Sequence, residues 1–164
     1  VWIESVIAYL GLGSNLGERR DNLERALTFL SQRLRLEKVS SIYDSEPVGN
    51  INQPRFLNLA CQMTTTLPPA GLLALAKGIE AKMGRTGGSG APRIIDIDIL
   101  FYGNQVITTP ELVIPHPRLP ERAFVLVPLV EIAPELVHPV NGKTVKELLA
   151  AQKEVQGVFK WKGD

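Results

Sequence analysis

The chain is poor in the residues that build disulfide-stapled or metal-rich domains. Cys61 is its one cysteine, which excludes an internal disulfide, and no CxxC pair or His-rich tract suggests zinc. Charge of one sign is also missing. Against 17 acidic residues stand 18 basic ones, and the formal +1 gives no reason to expect a nucleic-acid or membrane-surface partner. Long apolar runs are absent too: the longest candidate, Ala123 to Val130, is short and contains Pro128, so it does not read as a membrane span. The opening Val-Trp-Ile-Glu-Ser has neither the basic start nor the apolar core of a signal peptide. A reducing cytoplasm is the expected setting.

What is present is an ordinary globular balance, 45% hydrophobic and 21% charged over 164 residues, which suits one domain with a sizeable core. No repeat or low-complexity linker divides it, so residues 1–164 are expected to form a single domain. Val6 to Leu12 reads as a strand that breaks into the glycine-rich turn Gly11-Leu-Gly-Ser-Asn-Leu-Gly17. Leu23, Ala26, Leu27, Leu30 and Leu34 recur at helical spacing and predict a helix from about Asp21 to Leu34. Leu36 to Tyr43 reads as a strand and Ser45 to Asn52 as a loop. Phe56 to Thr66 alternates, with Leu57, Leu59, Cys61 and Met63 on one face and Phe56, Asn58 and Gln62 on the other. Leu72, Leu75, Ala76, Ile79 and Met83 mark a second helix closed by Gly84. The glycine-rich loop Thr86 to Pro92 then leads into a strand, Ile94 to Tyr102. This order predicts an α+β fold, a ferredoxin-like βαββαβ antiparallel sheet with its helices on one face. A short helix around Ala123 to Ile132, an Asn141-Gly142 turn and a helix near Thr144 to Ala151 read as a C-terminal elaboration over one side of the sheet.

The segment Ile94-Ile-Asp-Ile-Asp-Ile-Leu-Phe-Tyr102 carries the most chemistry. Period-two alternation sends Ile95, Ile97, Ile99 and Phe101 to one buried face and Asp96 and Asp98 to the other, their backbones roughly 7 Å apart. Neighbouring carboxylates on a half-buried strand repel each other unless something positive lies between them. Hard oxygen ligands suit magnesium, and such a pair could bridge two ions roughly 4 Å apart. A solvent-facing strand with two surface acids is the plain alternative. Arg85 and Arg93 flank the glycine-rich loop, while Arg118 and Arg122 surround the stretch from Ile114 to Arg122. Guanidinium forks grip phosphate oxygens, and acids beside an arginine-flanked loop are the combination expected of ATP chemistry. Any one of these arginines, taken alone, reads as a surface residue.

Other motifs are less specific. Gly11 to Gly17 lacks the Walker lysine and the dinucleotide spacing, so a tight strand-to-helix turn is its better reading. Phe56 and Asn58 share a strand face, where a ring can stack on a flat heterocycle and an amide can read its edge. A core phenylalanine beside a satisfied asparagine fits equally. His116, held between two prolines, could donate to a phosphate or serve as hydrogen-bonded structure; His138 reads as structural.

Four motifs then stand in order: Gly11-Leu-Gly-Ser-Asn-Leu-Gly17, Gln53-Pro-Arg-Phe-Leu-Asn58, Ala91-Pro-Arg-Ile-Ile-Asp-Ile-Asp-Ile-Leu100, and Pro115-His-Pro-Arg118 with Glu121-Arg-Ala-Phe-Val-Leu126. On these the sequence resembles the 6-hydroxymethyl-7,8-dihydropterin pyrophosphokinase family of the folate pathway, from Val6 to about Pro139. The resemblance implies transfer of the terminal diphosphate of ATP, as one unit, to the pterin hydroxymethyl oxygen, with AMP as the leaving group. It implies two Mg2+ ions on Asp96 and Asp98, with Arg85 and Arg93 completing the catalytic set. Lys77, Glu80, Arg85, Arg93, Ile99, His116 and Arg122 would line the ATP site. Ser45, Glu46, Pro47, Val48, Phe56, Asn58 and Phe124 would surround the pterin, and a monomer acting on small molecules is the expected state.

The chain departs from the family pattern at Gly90, where some members carry tryptophan, at Ser89, where they carry a basic residue, and at Lys77, where some carry glutamine. With no aromatic at position 90, closure of the loop Thr86 to Pro92 is expected to depend on phosphate contacts from Arg85 and Arg93. Two rival readings differ in class. A non-catalytic ferredoxin-like ligand-binding domain, such as an RNA platform, would carry in Asp96 and Asp98 the wrong charge for phosphate without metal. A kinase moving one phosphoryl group would release ADP instead of AMP.

Overall fold

The computed structural model describes residues 4–47, 52–84, 92–152 and 157–163. The chain runs through β1 (Val6–Ser14), α1 (Arg19–Ser31), β2 (Arg35–Val39), β3 (Tyr43–Ser45), β4 (Phe56–Thr65), α2 (Pro69–Lys82) and β5 (Asp96–Tyr102). It continues through β6 (Ile107–Thr108), β7 (Val113–Ile114), a 3-10 turn at Leu119–Glu121, α3 (Ala123–Ile132), α4 (Val145–Ala150) and β8 (Val158–Lys160). Among the described residues one sheet has the order β5-β1-β4-β3-β8, with β2 also paired to β4, and β6 and β7 form a separate ribbon. The pairings within the main sheet are all antiparallel. The protein is thus a mixed α and β structure built on an antiparallel sheet.

Helical and strand periods meet on the first face of the sheet. Leu23, Ala26 and Leu30 of α1 and Leu72, Ala76 and Ile79 of α2 pack against Leu10, Leu12, Leu57, Leu59, Ile97 and Ile99. Fully burying one such leucine or isoleucine contributes about 2 kcal/mol. The second face is only partly covered. There α3 and α4 pack Val125, Leu126, Leu129 and Leu148 over Tyr9, Ala60, Leu100 and Phe101. Thr144 starts α4 with a capping box to Glu147, which satisfies two backbone donors at once. Among the described residues, no helix is long and apolar enough to cross a membrane.

Several expectations change in the folded chain. The strand continues through Gly11 and Gly13 to Ser14, because both glycines keep ladder partners on β4 and β5; the turn is confined to residues 15–18. The helix expected from Asp21 to Leu34 spans Arg19–Ser31, and Leu34 is buried just beyond it. The strand expected from Leu36 to Tyr43 divides into β2 and β3, because the Ser40 hydroxyl takes over as acceptor for the Ala60 backbone N–H at 2.9 Å. Phe101 does not share the face of Ile95, Ile97 and Ile99: a register shift between Tyr9 and Leu10 breaks the alternation. It packs edge-on to Tyr9, ring centres 6.2 Å apart, while Tyr102 joins the first core. The strands β6, β7 and β8 are too short to show a period in sequence. His138 is structural as expected, packed edge-on to Phe101 at 5.9 Å.

A carboxylate anchors α3 to the sheet edge. Glu131 accepts from the Tyr43 hydroxyl at 2.6 Å, the Ser41 backbone N–H at 2.9 Å and the Ser41 hydroxyl at 3.2 Å. Burial alone would raise the Glu131 carboxyl, but these hydrogen bonds, with Lys160 nearby, hold it below its ordinary value. Burial, then the bond to Glu131 and its charge, pushes Tyr43 up to about 12. A lowered carboxyl contributes stability above its unfolded pKa and loses it as pH falls through the folded one. Because the carboxylate is exposed and screened by solvent, Glu131→Gln should cost at most about 1 kcal/mol at pH 7. The gap to wild type should narrow below the ordinary carboxyl value of 4.5. Urea unfolding at pH 7 and at pH 3 tests this, and an undiminished gap at pH 3 would dissociate the tie from the Glu131 charge.

Candidate active site

The second face of the sheet is left open along β1. Gly11 pairs with Asp98 and Ala60, and Gly13 pairs with Asp96 and Asn58. Directly paired residues point to the same side of a sheet. The acids of β5 and the polar and aromatic side chains of β4 therefore face one space, with no side chain standing between them. A Cβ on Gly13 would lie 3.0 Å from Asn58 Oδ1 and 3.4 Å from Phe56 Cδ1. The opening is a cavity of about 160 Å³. Alternate-residue glycines, which leave a strand face open, were the signal in Gly11 to Ser14 that a turn reading passes over.

Four parts of the chain wall this cavity. From β4 come Phe56 and Asn58, the latter donating to the buried Ser45 hydroxyl at 2.5 Å. Ser45, the last residue of β3, forms a second side with Glu46 and Pro47. Arg122 and Phe124, at the start of α3, close the opposite side, with the guanidinium 5.5 Å from the ring centre. Asp96, Asp98 and Arg93 line the remaining end.

Asn15, which sequence reasoning did not single out, holds two sides of the site in register. Its Oδ1 accepts from the Arg93 backbone N–H at 2.6 Å, and its own N–H donates to the Arg93 carbonyl at 2.9 Å. Its Nδ2 donates to Gln53 Oε1 at 3.0 Å and to the Pro54 carbonyl at 3.2 Å. Arg93 is thereby fixed with its side chain only 13% exposed and Nη1 4.0 Å from Asp96 Oδ1. Among the described residues, that buried Nη1 has no hydrogen-bond partner. Such a donor normally costs about 1–3 kcal/mol unless something satisfies it.

The other expected nucleotide residues lie outside this cavity lining. Glu80 is buried beneath β5, where Oε2 accepts from the Ile97 N–H at 2.7 Å and Oε1 lies 3.3 Å from Lys77 Nζ. Ile99 sends its side chain into the core. His116 sits beside β5, its N–H donating to the Leu100 carbonyl at 3.1 Å. Burial, with Arg122 and Arg118, lowers its pKa against the opposing pull of Asp96. The imidazole accepts at Nδ1 from the Arg118 backbone N–H at 3.3 Å. Arg85, Val48 and the loop positions 86–91 lie outside the described residues.

A profile of the 7,8-dihydro-6-hydroxymethylpterin-pyrophosphokinase (HPPK) family matches residues 9–134. The chain belongs to this family. Within HPPK, the 2-amino-4-hydroxy-6-hydroxymethyldihydropteridine pyrophosphokinase of Bacillus subtilis (strain 168) is 42% identical over 159 residues, 95% of this chain and 90% of that protein. That of Aquifex aeolicus (strain VF5) is 44% identical over 140 residues, 85% of this chain and 88% of that protein. A crystal structure of wild-type Plasmodium falciparum HPPK-DHPS with pteroate superposes with a TM-score of 0.74 at 19% identity. The match covers 90% of this chain and 42% of that one, so the chain spans less than half of that structure, and the likeness is one of fold.

In this HPPK-family chain, Gly13→Ala should cut turnover about tenfold or more, because the added methyl presses on Asn58 Oδ1 and Phe56. Wild-type turnover in a folded Gly13→Ala protein would show that the floor of the cavity tolerates a side chain.

Proposed function

We propose that this chain transfers the terminal diphosphate of ATP, as one unit, to the hydroxymethyl oxygen of 6-hydroxymethyl-7,8-dihydropterin and releases AMP. It is a pyrophosphokinase, a transferase of folate biosynthesis. The observation that carries the assignment is the buried Nη1 of Arg93 beside Asp96, without a hydrogen-bond partner among the described residues, at the end of the cavity opposite Phe56 and Asn58. A phosphate oxygen is the acceptor that such a guanidinium fits.

Asp96 and Asp98 fit magnesium: both are hard oxygen donors on one face of β5, and no cluster of three or more His, Cys, Asp or Glu side chains competes among the described residues. Two ions there would supply charge neutralisation on the transferred group, with ATP oxygens and water completing their ligands. Arg93 and Arg122 orient the phosphates, and Arg85 joins them as the resemblance implies. Lys77, Glu80 and Ile99 border the outer edge of β5 with His116 near its end, and we assign the nucleotide to that edge. The pterin ring lies between Phe56 and Phe124, bounded by Ser45, Glu46 and Pro47. Because Asn58 Nδ2 is donated to Ser45, its Oδ1 is the atom that would meet a ring N–H. Val48 completes that wall by resemblance. The fold that holds these groups is ferredoxin-like in our reading, with β2 and β3 as one interrupted strand beside β4, and residues 1–164 act as one monomeric cytoplasmic domain.

Incubation with ATP, magnesium and the hydroxymethyl pterin tests the reaction: AMP is expected, whereas ADP would identify a one-phosphoryl kinase. Asp96→Asn and Asp98→Asn should each lower turnover by on the order of a hundredfold or more while retaining the wild-type circular dichroism. Near-wild-type turnover of either variant at saturating magnesium would remove the metal assignment. Phe56→Ala and Asn58→Ala should weaken pterin binding about tenfold and leave a non-hydrolysable ATP analogue bound nearly as before. Equal losses for both ligands in calorimetry would argue against two separate half-sites.

A further inference from the structure

The wall Ser45–Glu46–Pro47 begins at the last residue of a strand of only three residues, and Arg55, whose side chain does not line the cavity, ties that stretch to the C-terminal segment. Arg55 Nε donates to Asp44 Oδ1 at 2.5 Å, and Nη1 lies 3.7 Å from Glu46 Oε1. Nη2 donates to the Gly157 carbonyl at 2.9 Å, and the guanidinium lies 5.9 Å from the Phe159 ring centre. The same Gly157 carbonyl accepts from the Glu46 backbone N–H at 3.3 Å. Gly157 has φ +74°, and a Cβ there would meet Glu46 Cδ at 2.9 Å. One planar fork thus reaches the end of β3, the wall after it and the start of β8.

We propose that Arg55 is a positioning residue of the pterin half-site. It clamps Asp44 and Glu46 to Gly157 and so holds Ser45 and Pro47 at the cavity. The inference rests on the assignment of that half-site above. Slack in β3 has a direct route to the ring, because Ser45 is the acceptor of Asn58 and pairs with Phe56 in the ladder. An exposed two-residue ion pair would be worth little. Here the guanidinium is only 37% exposed and also bonds a backbone carbonyl, which requires the fork of arginine and which the single ammonium of lysine cannot reproduce in both directions.

Steady-state kinetics on the full chain separates this role from general stability. Arg55→Ala should raise the pterin KM about tenfold and leave the ATP KM within about twofold, the size expected from losing one charge-assisted bond. Arg55→Lys, which keeps the charge, should recover only part of that loss. Gly157→Ala, acting through the other end of the clamp, should give the same pterin-selective rise, and combining it with Arg55→Ala should add less than the product of the two. Arg20→Ala removes a different guanidinium, 6.0 Å from Trp161 in the same C-terminal segment, and should change neither constant. An unchanged pterin KM in Arg55→Ala, or equal rises for pterin and ATP, overturns the proposal. Should Arg55→Ala fail to fold, wild-type pterin KM values in Arg55→Lys and Gly157→Ala overturn it instead. A wild-type protein that forms no AMP would refute the assigned reaction, a failure distinct from that of the clamp.

Discussion

Gly11 and Gly13 keep the second face of the sheet open in the middle, and the rest of the site depends on that opening. Their backbones still complete the ladders to β4 and β5, so the sheet gains its hydrogen bonds without placing a side chain above the central strand. Asp96 and Asp98 on one neighbour and Phe56 and Asn58 on the other then look into one volume. A glycine in a strand weakens it by conformational entropy and marks a close approach. Here two helices on the reverse face compensate, burying Leu10 and Leu12 of the same strand.

The polar groups around the opening are held by backbone more than by one another. Asn15 bonds both the backbone N–H and the carbonyl of Arg93, and Glu80 takes the Ile97 N–H between the two aspartates. Such bonds fix side-chain bases with few rotatable links, which is how a site keeps charged groups poised before a ligand arrives. Arg93 Nη1 is the exception, a buried donor without a hydrogen-bond partner among the described residues.

The far wall depends on a different balance. α3 is strongly apolar, and its buried residues Leu126 and Leu129 seat it on Ala60, Leu100 and Phe101. Glu131 then fixes its rotation through Ser41 and Tyr43. Arg122 and Phe124 at the other end of the helix are thereby set against the cavity. Packing supplies the hold, and one carboxylate supplies the orientation.

The sequence by itself determined the local elements of this protein. Alternation placed Leu57, Leu59, Cys61 and Met63 on one face of β4 and the two aspartates together on β5, and helical spacing located α1 and α2. Periodicity is a property of the backbone itself and survives without knowledge of partners. The motif order also sufficed for the family. Tertiary structure decided what stands opposite what: the glycine row facing the acids, the turn of Phe101 onto the other face at a register shift, Asn15 reaching Arg93, and β8 seated on β3 through Arg55. These depend on ladder register and on single hydrogen bonds between residues as many as 102 positions apart. No local pattern encodes such pairings, because the groups that make them become neighbours only when the sheet closes.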